Sequence, residues 1–253
     1  MKGDADIAAV AGLIGDRTRA RALLALGDGR ALAASVLAQE AGVSASTISG
    51  HLGKLLDAGL LAVEAHGRHR YYRLAGPRVA RLLESLAELA PLAPVTSLRQ
   101  GTRASALRAG RYCYDHLAGE LGVAIMGALL DRGVLAGGDG GFDRADATRD
   151  RLSAPGNDID YRLTSEGAAW VDAFGIDLGA LQARRRPLIR YCTDWTEQRH
   201  HLAGGLGAAL AERLAQRGWI ERARTGRAVQ LTEAGRRKLR ECLDVEIVDR
   251  DAT

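Results

Sequence analysis

Apolar positions recur at helical spacing from Ile7 to Gly27, and Asp16 stands where it can cap a second helix through Ala20, Leu23, Leu24 and Leu26. Gly27-Asp28-Gly29 breaks that pattern. A short helix is predicted from Leu32 to Glu40, then a tight corner at Ala41-Gly42-Val43-Ser44, then a helix from Ala45 to about Ala58. Two helices joined by a short turn containing Gly form a helix-turn-helix. The second helix is divided: Val43, Ile48, Leu52, Leu55 and Leu56 take a core side, while Ser44, Ser46, Thr47, Ser49, His51 and Lys54 take the outer side. Strand-like alternation follows. Leu60 to Glu64, the basic turn Ala65-His66-Gly67-Arg68-His69-Arg70 and Tyr71-Tyr72-Arg73-Leu74 predict a β-hairpin.

A Ser-rich helix face by itself fits a solvated surface as well as a DNA contact, and the hairpin decides between them. Placed directly after a helix-turn-helix it is a wing, with Arg68 and Arg70 where a phosphate or minor groove would pass. Short hydroxyl side chains and Lys54 then suit a helix whose N-terminal half lies in the major groove.

Ser46-Thr47-Ile48-Ser49-Gly50-His51-Leu52-Gly53-Lys54-Leu55, Ala58-Gly59-Leu60-Leu61 and Gly67-Arg68-His69-Arg70-Tyr71-Tyr72-Arg73-Leu74 together resemble the ArsR/SmtB superfamily of bacterial repressors. The resemblance covers about residues 5 to 98. It implies a homodimer formed through the first helix and the helix after the wing, Pro77 to about Leu92, on a near-palindromic double-stranded operator. Metal sensors of this superfamily often carry Cys-x-Cys on the helix before the turn; Ser35 to Ala41 contains no Cys, so that metal site is absent.

Pro91, Pro94 and the stretch from Thr96 to Ser105 read as a linker. Beyond it a motif occurs twice. Arg111-Tyr112-Cys113-Tyr114-Asp115 returns as Arg190-Tyr191-Cys192-Thr193-Asp194, and His116-Leu117-Ala118-Gly119 returns within His200-His201-Leu202-Ala203-Gly204. Leu121-Gly122 with Leu206-Gly207, Arg132-Gly133 with Arg217-Gly218, and Leu163-Thr164 with Leu231-Thr232 follow in the same order, the pattern of an internal duplication. Each copy is expected as a helix, two strands and a Thr-capped final helix, a degenerate winged-helix unit, with Gly137 to Asp158 an expanded polar loop. Leu117 to Leu130 and Leu202 to Leu214, rich in Ala, Gly and Leu, are expected to pack rather than read bases. The fold class expected is therefore mainly α with small β-hairpin wings: a winged helix-turn-helix over 1–98 and two repeats over 99–183 and 184–253.

The repeats carry the candidate chemistry. Cys113, Asp115 and His116, and Cys192, Asp194, His200 and His201, offer thiolate, carboxylate and imidazole groups for a metal such as zinc, and a thiol beside Arg suits redox sensing. The opposing reading makes the cysteines small core residues, with Asp115 and Asp194 capping helices and pairing with Arg111 and Arg190. His200 and His201, taken as neighbours on one helix, diverge by about 100 degrees, so at most one serves a given metal. A small-molecule pocket beside Tyr112, Tyr114, Tyr191 and Trp195 is a third expectation, and Arg184-Arg185-Arg186 reads as a solvated basic run.

Composition narrows the field. Lys and Arg number 35 against 31 Asp and Glu, a net charge of +4 that permits a nucleic-acid partner without requiring one. Three scattered cysteines make no disulfide framework, and neither a signal segment nor a run long enough to span a membrane is present, so a soluble cytoplasmic protein is expected. No Gly-rich phosphate loop, nucleophile elbow or His-Glu-x-x-His element favours an enzyme. The sequence is read as a homodimeric transcriptional repressor whose duplicated region answers a small-molecule, metal or oxidant effector; a thiol- or metal-dependent enzyme with an appended winged helix is the alternative.

Overall fold

The computed structural model describes residues 4–66, 69–91, 94–95, 97–141, 159–223 and 226–247. The chain forms two compact units, Met1–Leu89 with the short segment Arg224–Arg227, and Ala90–Ala223 with Ala228–Thr253. None of the described helices is long and apolar enough to cross a membrane.

The first unit is a winged helix-turn-helix. Helices α1 (Ile7–Ile14) and α2 (Arg17–Ala25) start at Asp6 and Asp16, whose carboxylates accept from the amides of Ala9 and Arg19. Helix α3 (Ala34–Ala41) ends at Gly42 in the left-handed region, and α4 (Ala45–Asp57) begins three residues later, capped by Ser44. Strands β2 (Leu61–His66) and β3 (His69–Leu74) form the wing hairpin, and β1 (Leu32–Ala33) adds to the outer side of β3. Leu23, Leu26, Leu37, Ile48, Leu52, Leu55 and Leu74 are fully buried, so the divided face of α4 and one face of the wing share a core. Helix α5 (Pro77–Leu89) follows the wing.

In the second unit the expected linker from Thr96 to Ser105 is instead largely helix, α6 (Leu98–Ala109), because Ser97 caps it by accepting from the Gln100 amide and no Pro stands between Pro94 and Ala109. Two series of elements then share one order. The first is β4 (Arg111–Cys113), β5 (His116–Ala118), α7 (Gly119–Asp131), β6 (Leu135–Ala136), β7 (Arg162–Leu163) and α8 (Ser165–Ala173). Helix α9 (Leu178–Gln182) separates it from β8 (Arg190–Thr193), β9 (His200–Ala203), α10 (Gly204–Gln216), β10 (Ile220–Arg222), β11 (Val229–Leu231) and α11 (Glu233–Leu243). Thr164 and Thr232 cap α8 and α11 by accepting from the amides of Gly167 and Gly235. The polar loop expected over Gly137 to Asp158 falls mostly on 142–158, outside the described residues.

Helices α7 and α10 begin later than the sequence implied. The residues before them pair as short hairpins, so His200 and His201 lie on a strand, where consecutive side chains point to opposite faces. The two hairpins have matching registers: Arg111, Tyr112 and Cys113 face Ala118, Leu117 and His116, as Arg190, Tyr191 and Cys192 face Ala203, Leu202 and His201. The two series interlock, with α7 packed on β9, α10 on β5, and β5 against β9. Gly122 and Gly207 permit this: a Cβ on either would sit 2.5 Å from a carbonyl oxygen, of Leu117 or Leu202, and about a van der Waals contact from His201 or His116 of the other series. Leu121, Met126, Leu129, Leu206 and Leu214 close a single core over both series.

Candidate functional sites: a DNA-reading face and a buried cysteine–histidine cluster

On α4 the residues Ser44, Ser46, Thr47, Ser49 and Lys54 are exposed. The Ser44 hydroxyl accepts from the Thr47 amide at 3.2 Å and lies 2.9 Å from Ser46 Oγ and 2.8 Å from Thr47 Oγ1, so three hydroxyls cluster at the helix start. Ser49 donates back to the Ala45 carbonyl. His51 departs from this row: it is half-buried, with Nδ1 3.4 Å from Asp16 at the start of α2. The Asp16 carboxyl is held below its ordinary value chiefly by the Arg19 amide, which with the charges of Arg19 and His51 outweighs the opposing effect of burial. On the wing, exposed Arg70 shares one open groove with Ser49, Gly53, Ser35 and Tyr72, which joins α4 to β3 in a single surface. Arg68 lies outside the described residues.

The second site is built by the two hairpins. In each, a Cys and a His are cross-strand partners, and the facing of β5 and β9 brings both pairs together. One ligand atom from each of Cys113, His116, Cys192 and His201 lies within 4.8 Å of every other. Cys113, His116 and His201 are buried and Cys192 is half-buried. The two imidazoles stack with centroids 5.3 Å apart. His116 Nδ1 stands 3.2 Å from Asp115 Oδ1, and Nε2 has no hydrogen-bond partner. His201 is wholly buried, its Nδ1 3.6 Å from Asp194 Oδ2, and neither ring nitrogen makes a hydrogen bond. Burial alone would lower the His116 pKa, but the Cys113 thiolate and the Asp115 carboxylate outweigh it and raise it to about 9. For His201 burial dominates, and the imidazole stays neutral well below its ordinary value.

The remaining sequence candidates surround this cluster. Asp194 is fully buried and saturated: Oδ2 accepts from Arg111 Nη2 at 2.9 Å and from the Gly119 amide at 2.6 Å, and Oδ1 accepts from the amide and hydroxyl of Thr196. Burial opposes its ionisation, yet Arg111 and these hydrogen bonds hold it well below the usual carboxylate range. The expected pairing of Asp194 with Arg190 is thus replaced by Arg111 of the other series, because the interlocked hairpins bring Arg111 nearer. Asp115 pairs with Arg186 rather than Arg111 and supports His116 instead of capping a helix. Arg184 and Arg185 are exposed, as a solvated run requires. His200 faces away from the cluster, with Nδ1 2.9 Å from the Tyr161 hydroxyl and its ring against Tyr191. Tyr112 and Tyr191 belong to the core, and Trp195 stacks on Arg111. Between α7 and α10, Leu117, Ile125, Leu202 and Leu210 border a cavity of about 10 Å³, room for one water and not for an organic ligand. The cross-series ion pair was missed in the sequence; its only signal was the repeated Arg and Asp, which do not say which copy each serves.

Residues 14–64 match a helix-turn-helix domain family. The solved homodimeric winged helix-turn-helix DNA-binding domain of Mb0332 from Mycobacterium bovis is 30% identical over 35% of this chain and 88% of its own, with a TM-score of 0.30. The cadmium sensor CMTR of Mycobacterium tuberculosis is 32% identical over 37% of this chain and 100% of its own, with a TM-score of 0.29. Both likenesses are confined to about a third of the chain. Along nearly the whole length, 96% of this chain and 99% of the relative, the sequence is 38% identical to YdfF of Bacillus subtilis (strain 168), an uncharacterized HTH-type transcriptional regulator. With a matching relative of that extent and a winged helix-turn-helix at its N-terminal end, the chain belongs to the HTH-type transcriptional regulators.

Proposed function

We propose that the protein is a homodimeric repressor that binds a near-palindromic double-stranded operator through α4 and the wing, and that its second unit, an internal duplication, carries the response to an effector. The observation that carries the DNA reading is the exposed row of Ser44, Ser46, Thr47, Ser49 and Lys54, continuous with Arg70 across one groove. Hydroxyls at a helix start reach phosphates and base edges, and Lys and Arg reach phosphates. Support for the dimer comes from α1, which has no buried residue although its sequence is IAAVAGLI, and from Leu82, Leu86 and Leu89 exposed on α5. Repression is the mode that the resemblance to ArsR/SmtB implies.

The test is binding of the purified protein to fragments of its own upstream DNA across a salt series. Lys54→Ala and Arg70→Ala are each expected to weaken binding and to reduce the salt slope by about 0.9. An unchanged affinity and slope in both variants would remove these residues from the interface.

A further inference from the structure

We propose that Cys113, His116, Cys192 and His201 form a closed four-coordinate site for a divalent borderline metal ion of the zinc class, held between the two hairpins of the second unit. The proposal does not depend on the DNA-binding reading, since the metal is detected directly. Three observations converge on it. The donors are two sulfurs and two imidazoles, the set that selects zinc over hard cations, which take oxygen. Their mutual spread of no more than 4.8 Å approaches the edges of about 3.3–3.8 Å that a tetrahedron with zinc–sulfur and zinc–nitrogen bonds of about 2.3 and 2.0–2.1 Å requires. Finally, His116 Nε2 and both ring nitrogens of His201 are buried without a hydrogen-bond partner, an arrangement that costs free energy unless something else engages them.

The surroundings fit a metal more closely than they fit packing. Each histidine has a carboxylate near Nδ1, Asp115 for His116 and Asp194 for His201, which leaves Nε2 as the ligand atom in both; outer carboxylates of this kind orient metal-bound imidazoles. Those carboxylates are themselves held, Asp115 by Arg186 and Asp194 by Arg111. Asp115, Asp194 and His200 are therefore not ligands. Two thiolates balance a divalent charge and leave no net charge to bury. Four protein ligands fill a tetrahedron and leave no open position for a substrate, so the site joins and stabilises rather than turning over.

The full-length protein is reduced, stripped of metal and titrated with Co2+, a spectroscopic stand-in for zinc. One equivalent per chain should give tetrahedral visible bands and a near-ultraviolet thiolate charge-transfer band. Cys113→Ser and Cys192→Ser should each lose much of the charge-transfer intensity, whereas Cys242→Ser should keep it. If the first two variants fail to fold, alkylation of the native chain decides: zinc should shield Cys192, the half-buried thiol of the pair, and leave Cys242 at its zinc-free rate. Absence of the thiolate band in reduced native protein, its persistence in both cysteine variants, or alkylation of Cys192 unaffected by zinc would overturn the proposal.

Discussion

Arg111 and Asp194 show how much one residue pair fixes in this molecule. Both side chains have no solvent exposure, and the carboxylate also takes the amide that opens α7 and the turn amides of its own hairpin. Removing one partner of a buried pair strands the other charge, a loss of about 3–5 kcal/mol. Asp194→Ala is therefore expected to lower unfolding stability by that amount in urea denaturation, whereas replacing exposed Arg185 by Ala should change it by less than about 0.5 kcal/mol. A small effect at Asp194 would mean that Arg111 finds another partner.

Among the elements, α4 carries both Gly50 and Gly53 in its interior, where a Cβ on either meets nothing within 4 Å. A helix gains about 0.5–1 kcal/mol when such a Gly becomes Ala. Gly53→Ala is expected to raise thermal stability and, because Gly53 borders the groove between Ser49 and Arg70, to weaken operator binding; a gain in both would place Gly53 outside the interface. This helix was legible in the sequence, as were Asp16 as a cap, the wing and the Thr caps of α8 and α11, because each rests on local spacing. Strands β4, β5, β8 and β9 were not, since three or four residues are too few to display a period of two. The repeated Cys and His were visible, but that they meet depends on the interlock of α7 and α10 with the opposite hairpins, which no local pattern encodes. Ser97 was visible too, yet the neighbouring prolines made a linker the stronger local signal.

At the scale of the whole molecule, α1 and α5 present apolar residues that no described residue covers: Ile7 is 76% and Leu89 78% exposed. Placing charge there opposes self-association without touching the core. Val10→Glu combined with Leu86→Glu is expected to shift sedimentation from dimer to monomer and to weaken operator binding by about 100-fold or more, the effect of losing the second half-site. A dimer that persists would move its interface to another surface.

The crossing of the two series also sets an order of events during synthesis. The first hairpin and α7 are made early, yet the partners that complete them are Asp194, His201 and β9, about 80 residues later in the chain. Contacts that distant close only after a long loop is ordered, and domains emerge from the ribosome N-terminal part first. The winged helix-turn-helix can thus fold while translation continues, whereas Arg111 and Gly119 wait for the second hairpin to emerge. During that interval Leu121, Met126 and Leu129 lack their final cover, and the nascent second unit exposes apolar surface of the kind that aggregates or engages chaperones.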